Sequence, residues 1–230
     1  MPPEGIHALA RSLGYYTTAQ ETMANNLANV SSEAFKAFRI TARQGADGSF
    51  PVPVQMLDLS QGGMRQTGRP LDVALEGPGF LVVRTATGER LFRGGGLELD
   101  GAGRLTDRHG DPLLDPDGRI IAVPPGPIAI RQDGTILVDD APIGRLNLVT
   151  APLDQLRKEG QGRYLTLTPP TPLEGGVTTV REGMLEEANI DAVRGMMDLL
   201  LIQRAYATNV EAMRTLDGVM GTVVGDVGRV

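Results

Sequence analysis

Proline sets the outline of this chain. Fourteen of its sixteen prolines lie between Pro51 and Pro172, and the other two, Pro2 and Pro3, sit at the extreme start. A proline ring clashes with the preceding helical turn and removes a backbone donor, so helix interiors expel it. Glu4 to Phe50, and everything after Pro172, are therefore two arms free to be helical around a centre that is not.

Both arms carry a helical rhythm. In the first, Ile6, Leu9, Leu13, Tyr16, Met23, Leu27 and Val30 recur at alternating spacings of three and four, with polar Gln20 at the remaining position. In the second, Leu199, Ile202, Tyr206, Met213, Leu216, Met220 and Val223 do the same around Asn209. Each pattern is a heptad seam and predicts a rod of roughly 40 Å at 1.5 Å per residue. The second helix is expected to begin near Asn189 or Asp191, either of which can cap it. Gly218, Gly221, Gly225 and Gly228 predict fraying at its far end. Such narrow seams pair with each other in a helical hairpin, or are completed by sister molecules.

The centre reads as strands. "PLDVALEGPGFLVVRTATGERLFR" gives short aliphatic runs parted by Gly-Pro and Thr-Gly turns, and Asp133-Gly134 is the strongest hairpin signal. Runs of strand length recur about every ten residues, which argues for an antiparallel sandwich or barrel. The expected fold is α+β: residues 1–40 and 184–230 form one helical domain, 41–66 a linker or extended segment, and 67–183 the β-rich centre. With aromatics at 4% and no Trp, aliphatic residues must supply most of the burial.

Little here supports catalysis. There is no cysteine, which removes disulfides and thiolate ligands, and the two histidines, His7 and His109, lie far apart in sequence. "RGGGLELDGAG" lacks the Gly-Lys-Ser/Thr ending of a phosphate loop. Asp111, Asp115 and Asp117 are close enough to suggest a Ca²⁺ site or, with His109, a metal-assisted hydrolase, but their spacing is that of Asp-Pro and Asp-Gly turns. We expect no catalytic, cofactor or metal residues. A net charge of −6 without a basic stripe argues against a nucleic-acid partner. No stretch reaches the ~20 apolar residues that span a bilayer, and the N-terminus lacks the pattern of a cleaved secretory signal. A β-domain ligand binder on a helical stalk, adhesin-like, is the alternative; it needs an aromatic platform, for which only Phe80, Phe92 and Tyr164 are at hand.

Several blocks are more specific. "ANNLANVSSEAFK" resembles a signature of the bacterial flagellar rod and hook family. "TGRPLDVALEGPGFLVV" is similar to that family's second signature, "RLFRGGGLELDGAGRLTDRHGDPLL" to its next block, and Ile143-Gly144-Arg145-Leu146 to a later one. "LEEANIDAVRGMMDLLLIQRAYATNVEAMRTLD", with Gln203-Arg204-Ala205-Tyr206, resembles its closing helix. The short centre favours a rod protein over the hook protein, and proximal-rod and distal-rod subunits both fit. Three positions depart from the family pattern: Ala34 and Gly94 stand where glycine and aspartate are common, and Pro78 sits inside the Gly77–Phe80 turn. Alanine disfavours a left-handed turn at position 34.

The resemblance implies a structural subunit exported through the flagellar type III apparatus. Its terminal helices would pack with copies of itself, and with neighbouring rod and hook subunits, as an inner tube of the basal-body rod. It would transmit torque and enclose the export channel. The implied interface residues are Leu13, Tyr16, Gln20, Met23, Asn25, Asn26, Leu27, Asn29, Val30, Leu199, Ile202, Tyr206, Asn209, Met213 and Leu216. Among them the polar positions would fix register by bridging across the contact, although Asn29 can equally cap a helix end.

Overall fold

The computed structural model describes residues 3–43, 52–173 and 176–227. Along the chain, two long helices, α1 (Pro3–Ala28) and α2 (Ala192–Val227), flank seventeen short strands among these residues. In chain order the strands are β1 (Phe38–Arg43), β2 (Val52–Leu57), β3 (Met64–Gln66), β4 (Asp72–Glu76), β5 (Phe80–Thr85), β6 (Gly88–Phe92), β7 (Gly94–Leu99), β8 (Leu105–Asp107) and β9 (Ile128–Ile130). There follow β10 (Thr135–Val138), β11 (Ala141–Arg145), β12 (Leu148–Thr150), β13 (Leu156–Lys158), β14 (Arg163–Thr166), β15 (Thr171–Pro172), β16 (Thr179–Glu182) and β17 (Met184–Glu186). The fold is α+β, as the sequence predicts.

The chain divides into two compact units. One holds α1, the β1–β2 hairpin and α2; the other holds Ser31–Lys36 and Leu59–Asn189. In the β unit the sheets run β13-β14-β6-β5-β12-β15, β16-β4-β7-β8 and β11-β10-β9, with β17 paired to β3. The strands share a core that includes Val73, Leu75, Leu81, Val83, Leu97, Leu105, Ile136 and Leu146, each 1% exposed or less. The predicted Asp-Gly hairpin joins β9 to β10, Gly134 taking a φ of 86° and Asp133 accepting from the Thr135 amide at 3.0 Å.

Element boundaries add detail to the sequence expectation. The first helix stops at Ala28 and the chain is already strand by Phe38. Residues 184–186, assigned from the sequence to the helical domain ahead of its helix, form β17 and belong to the β unit. Residues 41–66, expected as a linker or extended segment, contain the end of β1, all of β2 and all of β3, while 44–51 lie outside the described residues. Val52, Val54, Ile40 and Thr41 are β-branched and favour strand, and Gln55 donates to Thr22 Oγ1 at 2.7 Å, so β2 rests on α1. Asp191 is the cap of α2, its carboxylate accepting from the Arg194 amide at 3.0 Å. That helix runs through Gly218, Gly221 and Gly225 to Val227; Gly228 lies outside the described residues.

A carboxylate organises one end of the β unit. Glu186, 1% exposed, accepts from Lys36 Nζ at 2.6 Å and Arg93 Nε at 3.2 Å, and from the Gly62 amide at 2.9 Å. Both cations are buried, Lys36 at 0% and Arg93 at 4% exposure. Arg93 also donates to the carbonyls of Gly79 (2.6 Å), Gly77 (2.6 Å) and Leu75 (3.2 Å), so it holds the turn between β4 and β5. Lys36 Nζ donates to Ser60 O at 2.7 Å. Next to this cluster Gly94, at φ 105°, brings the backbone so close that a Cβ would meet Val73 O at 2.6 Å, which excludes an aspartate here.

The segment Ser31–Lys36 is fastened at each residue from Glu33 to Lys36. Glu33 pairs with Arg108 at 2.8 Å, the Ala34 amide donates to Glu186 O at 2.7 Å, and the Asn189 amide donates to Phe35 O at 3.2 Å. Lys158 Nζ sits 3.2 Å from the centre of the Phe35 ring and donates to Lys36 O at 2.7 Å. Under these restraints Ala34 takes a φ of 50°. The left-handed turn that alanine disfavours is thus kept, because surrounding bonds overdetermine it. Burial pushes the Lys158 ammonium from its ordinary 10.5 down to about 8.

Urea denaturation checks the roles of three residues. Glu186→Gln leaves two buried cations short of a counter-charge and should cost about 3–5 kcal/mol. Ala34→Val places a β-branched residue at positive φ and should cost about 1–3 kcal/mol, whereas Ala34→Gly should change stability by less than about 1 kcal/mol. Because the unfolded chain holds the Lys158 proton up to pH 10.5 and the folded chain only to about 8, stability should rise with pH across that interval; Lys158→Met should remove that rise.

Candidate functional site

The helical unit carries the residues that the sequence marks for assembly. Its helices run antiparallel: Ser12 Oγ donates to Asn209 Oδ1 at 3.0 Å, while Leu27 and Met23 lie against Gly195. A Cβ at Gly195 would stand 2.9 Å from Leu27 Cδ2, so this glycine sets the closest approach of the pair. On the same side of α1 lie Leu13, Tyr16 and Gln20, all half-buried. Of the marked positions on α2, Leu199, Ile202, Asn209, Met213 and Leu216 are half-buried, with Tyr206 at the margin, 36% exposed. The side chains of Ile6 and Val223 lie outside the described residues.

The asparagines divide their work. Asn26, 4% exposed, uses its amide as a strand uses a peptide: Nδ2 donates to Phe38 O at 2.8 Å and Oδ1 accepts from Phe38 N–H at 3.0 Å, which fixes β1 on α1. Asn29 Nδ2 donates to Asn25 O at 2.8 Å, taking up a carbonyl left over at the helix end. Amides of Asn29 and Val30 close back on Asn26 O and Leu27 O, so the helix tightens and stops; Val30 is half-buried. Asn209 accepts from Ser12 and donates to Ala205 O at 2.8 Å. The Asn25 side chain is exposed.

A second apolar face was not marked by the heptad pattern. Val193, Met196, Met197, Leu200 and Leu201 are 56–70% exposed and recur at helical spacing on the side of α2 opposite the seam. Bulky side chains so arranged form an apolar stripe of the kind that marks an interaction surface. No helix among the described residues is long and apolar enough to cross a membrane.

The residues that suggested other functions are engaged elsewhere. Phe80, Phe92 and Tyr164 are 2%, 9% and 0% exposed, so they form core and not an aromatic platform. Asp111 pairs with Arg163, Asp115 accepts from the Arg119 amide at 2.7 Å, and Asp117 pairs with the Arg119 side chain at 2.9 Å. Among the described residues no three His, Asp or Glu side chains are grouped to hold a metal.

Comparison with known proteins agrees with this picture. The model of the flagellar basal body rod FlgEFG protein C-terminal family matches residues 181–225, which include β17 and most of α2. The chain is 30% identical over 225 residues to the flagellar basal-body rod protein FlgF of Caulobacter vibrioides, covering 91% of this chain and 92% of that one. It is 32% identical over 238 residues to FlgF of Escherichia coli, covering 92% and 94%. Against the rod protein FlgG of Bacillus subtilis the identity is 26% over 247 residues, covering 91% and 93%. Nearly full-length similarity at 30% identity or more, together with a matching closing helix, means that the chain belongs to the family of flagellar basal-body rod proteins.

Proposed function

We propose that this structural protein of the basal-body rod assembles helically with copies of itself and with neighbouring rod and hook subunits through α1 and α2. In that role the helical unit lines the export channel, and the assembled helices transmit torque. Subunits reach the rod through the flagellar type III apparatus. The observation that carries this reading is the two-sidedness of α2: one face is spent on α1, and the other exposes five large apolar residues.

Surfaces that differ from one another and do not close a ring generate open helical filaments. Of the residues marked in the sequence, Asn25 and Tyr206 remain exposed and belong to the proposed interface. Leu13, Tyr16, Gln20, Met23, Leu27, Leu199, Ile202, Met213 and Leu216 act on assembly indirectly, by setting the hairpin that presents the stripe.

The test is complementation in a strain lacking this chain. The wild-type chain should restore rods in isolated basal bodies and swimming. Leu200→Asp lies on the exposed face and should change urea stability by no more than about 0.5 kcal/mol, yet leave rods incomplete and cells non-motile. Complete rods in the deletion strain, or normal rods with the aspartate variant, would contradict the proposal.

A further inference from the structure

We propose that the exposed stripe of α2 is covered by the outer face of α1 from a second copy of this chain, antiparallel and in a single register. This rests on the assembly reading above and names the partner surface for it.

Three faces of α1 are distinguishable. Leu27 and Met23 look to α2, Thr22 and Asn26 look to the β1–β2 hairpin, and the third face is solvent-exposed. That third face is narrow-chested: Ala28, Ala24 and Thr17 are small, and Glu21 is its one acidic residue among the described positions. The stripe on α2 is the reverse, with Met197 and Leu201 bulky and Arg204 charged. Bulk meets hollow on such a pairing, and acid meets base.

Both faces step at ordinary helical spacing, so the single charge pair selects the register. From Ala28 the outer face of α1 steps back four, three and four residues, to Ala24, Glu21 and Thr17. From Met197 the stripe of α2 steps forward by the same intervals, to Leu201, Arg204 and Thr208. One antiparallel register therefore sets Met197 on Ala28, Leu201 on Ala24 and Arg204 on Glu21 together. Antiparallel is also the sense in which α1 and α2 already meet within one chain, so the contact repeats from copy to copy without reversing direction. Stripe on stripe, with Met197 of one copy on Leu201 of the other, would set Arg204 opposite Arg194 and leave Glu21 unmatched; like charges facing across an interface suppress association.

Because the chain has no cysteine, two singly substituted versions report the contact without background. Ala24→Cys and Leu201→Cys chains are produced together in the deletion strain, basal bodies are isolated and oxidised, and disulfide-linked peptides are identified by mass spectrometry. Each chain carries one thiol, so any 24–201 link joins two copies. The expected result is a 24–201 link that dominates over 24–24 and 201–201 links. As a second measurement, Glu21→Arg and Arg204→Glu should each reduce completed rods about tenfold or more, and the double variant should restore them.

Rods that assemble with only 201–201 links, or with none, overturn the pairing while leaving the rod reading intact. So do single charge variants that build rods as the wild type does, or a double variant no better than either. Complete rods in cells that make none of this chain overturn the rod reading itself, and the pairing with it.

Discussion

A carboxylate with no access to water must be matched, and in the β unit that requirement falls on Glu186. Its two oxygens take an ammonium, a guanidinium and a backbone amide from Lys36, Arg93 and Gly62, positions far apart in sequence. Burial of this kind stabilises little in itself, since desolvation offsets most of the attraction. What it contributes is a penalty for every other arrangement. Arg93 can reach the carbonyls of Leu75, Gly77 and Gly79 only when the β4–β5 turn is shaped as observed, and the strained Ala34 persists because its amide is held by the carbonyl of the same glutamate.

The helical unit works by another principle. An apolar stripe as exposed as that of α2 is a liability in a protein that works alone. It is tolerable if assembly covers it, as proposed, with a surface that differs from the stripe itself. Non-identical surfaces extend a filament where identical ones would close a dimer. The thin, partly polar seam with α1 suits this: Ser12 and Asn209 fix the alignment of the hairpin, and with it the height at which the outer faces are presented.

How much of this was legible beforehand depended on range. Proline distribution and a three-four rhythm located both helices, because each is a local property of a few turns. The same rhythm located the seam between them but missed Val193, Met196, Met197, Leu200 and Leu201. Periodicity identifies apolar faces, and a helix with two of them looks the same whichever is covered. Strand ends such as β2 and β17 were missed because three- to six-residue strands hold too few alternations to stand out. Lys36 and Glu186 were unreadable as a pair: they lie 150 positions apart, and nothing local distinguishes a buried ion from a solvated one. Ala34 shows the opposite limit, where a correct local rule yields to its surroundings.

The clustered asparagines of α1 unite these strands of argument. Leucine at position 26 would have added apolar area, yet area alone would not say where β1 lies along the helix. An amide that gives and takes one hydrogen bond with the same residue, Phe38, accepts one register and penalises its neighbours, since a slip by one residue strands a buried donor and a buried acceptor together. Asn29 does the complementary task of ending the helix, by absorbing a carbonyl that would otherwise invite a further turn. For a subunit proposed to meet others through its outer surfaces, position along the axis matters more than strength of attachment. Polar groups set position better than apolar ones.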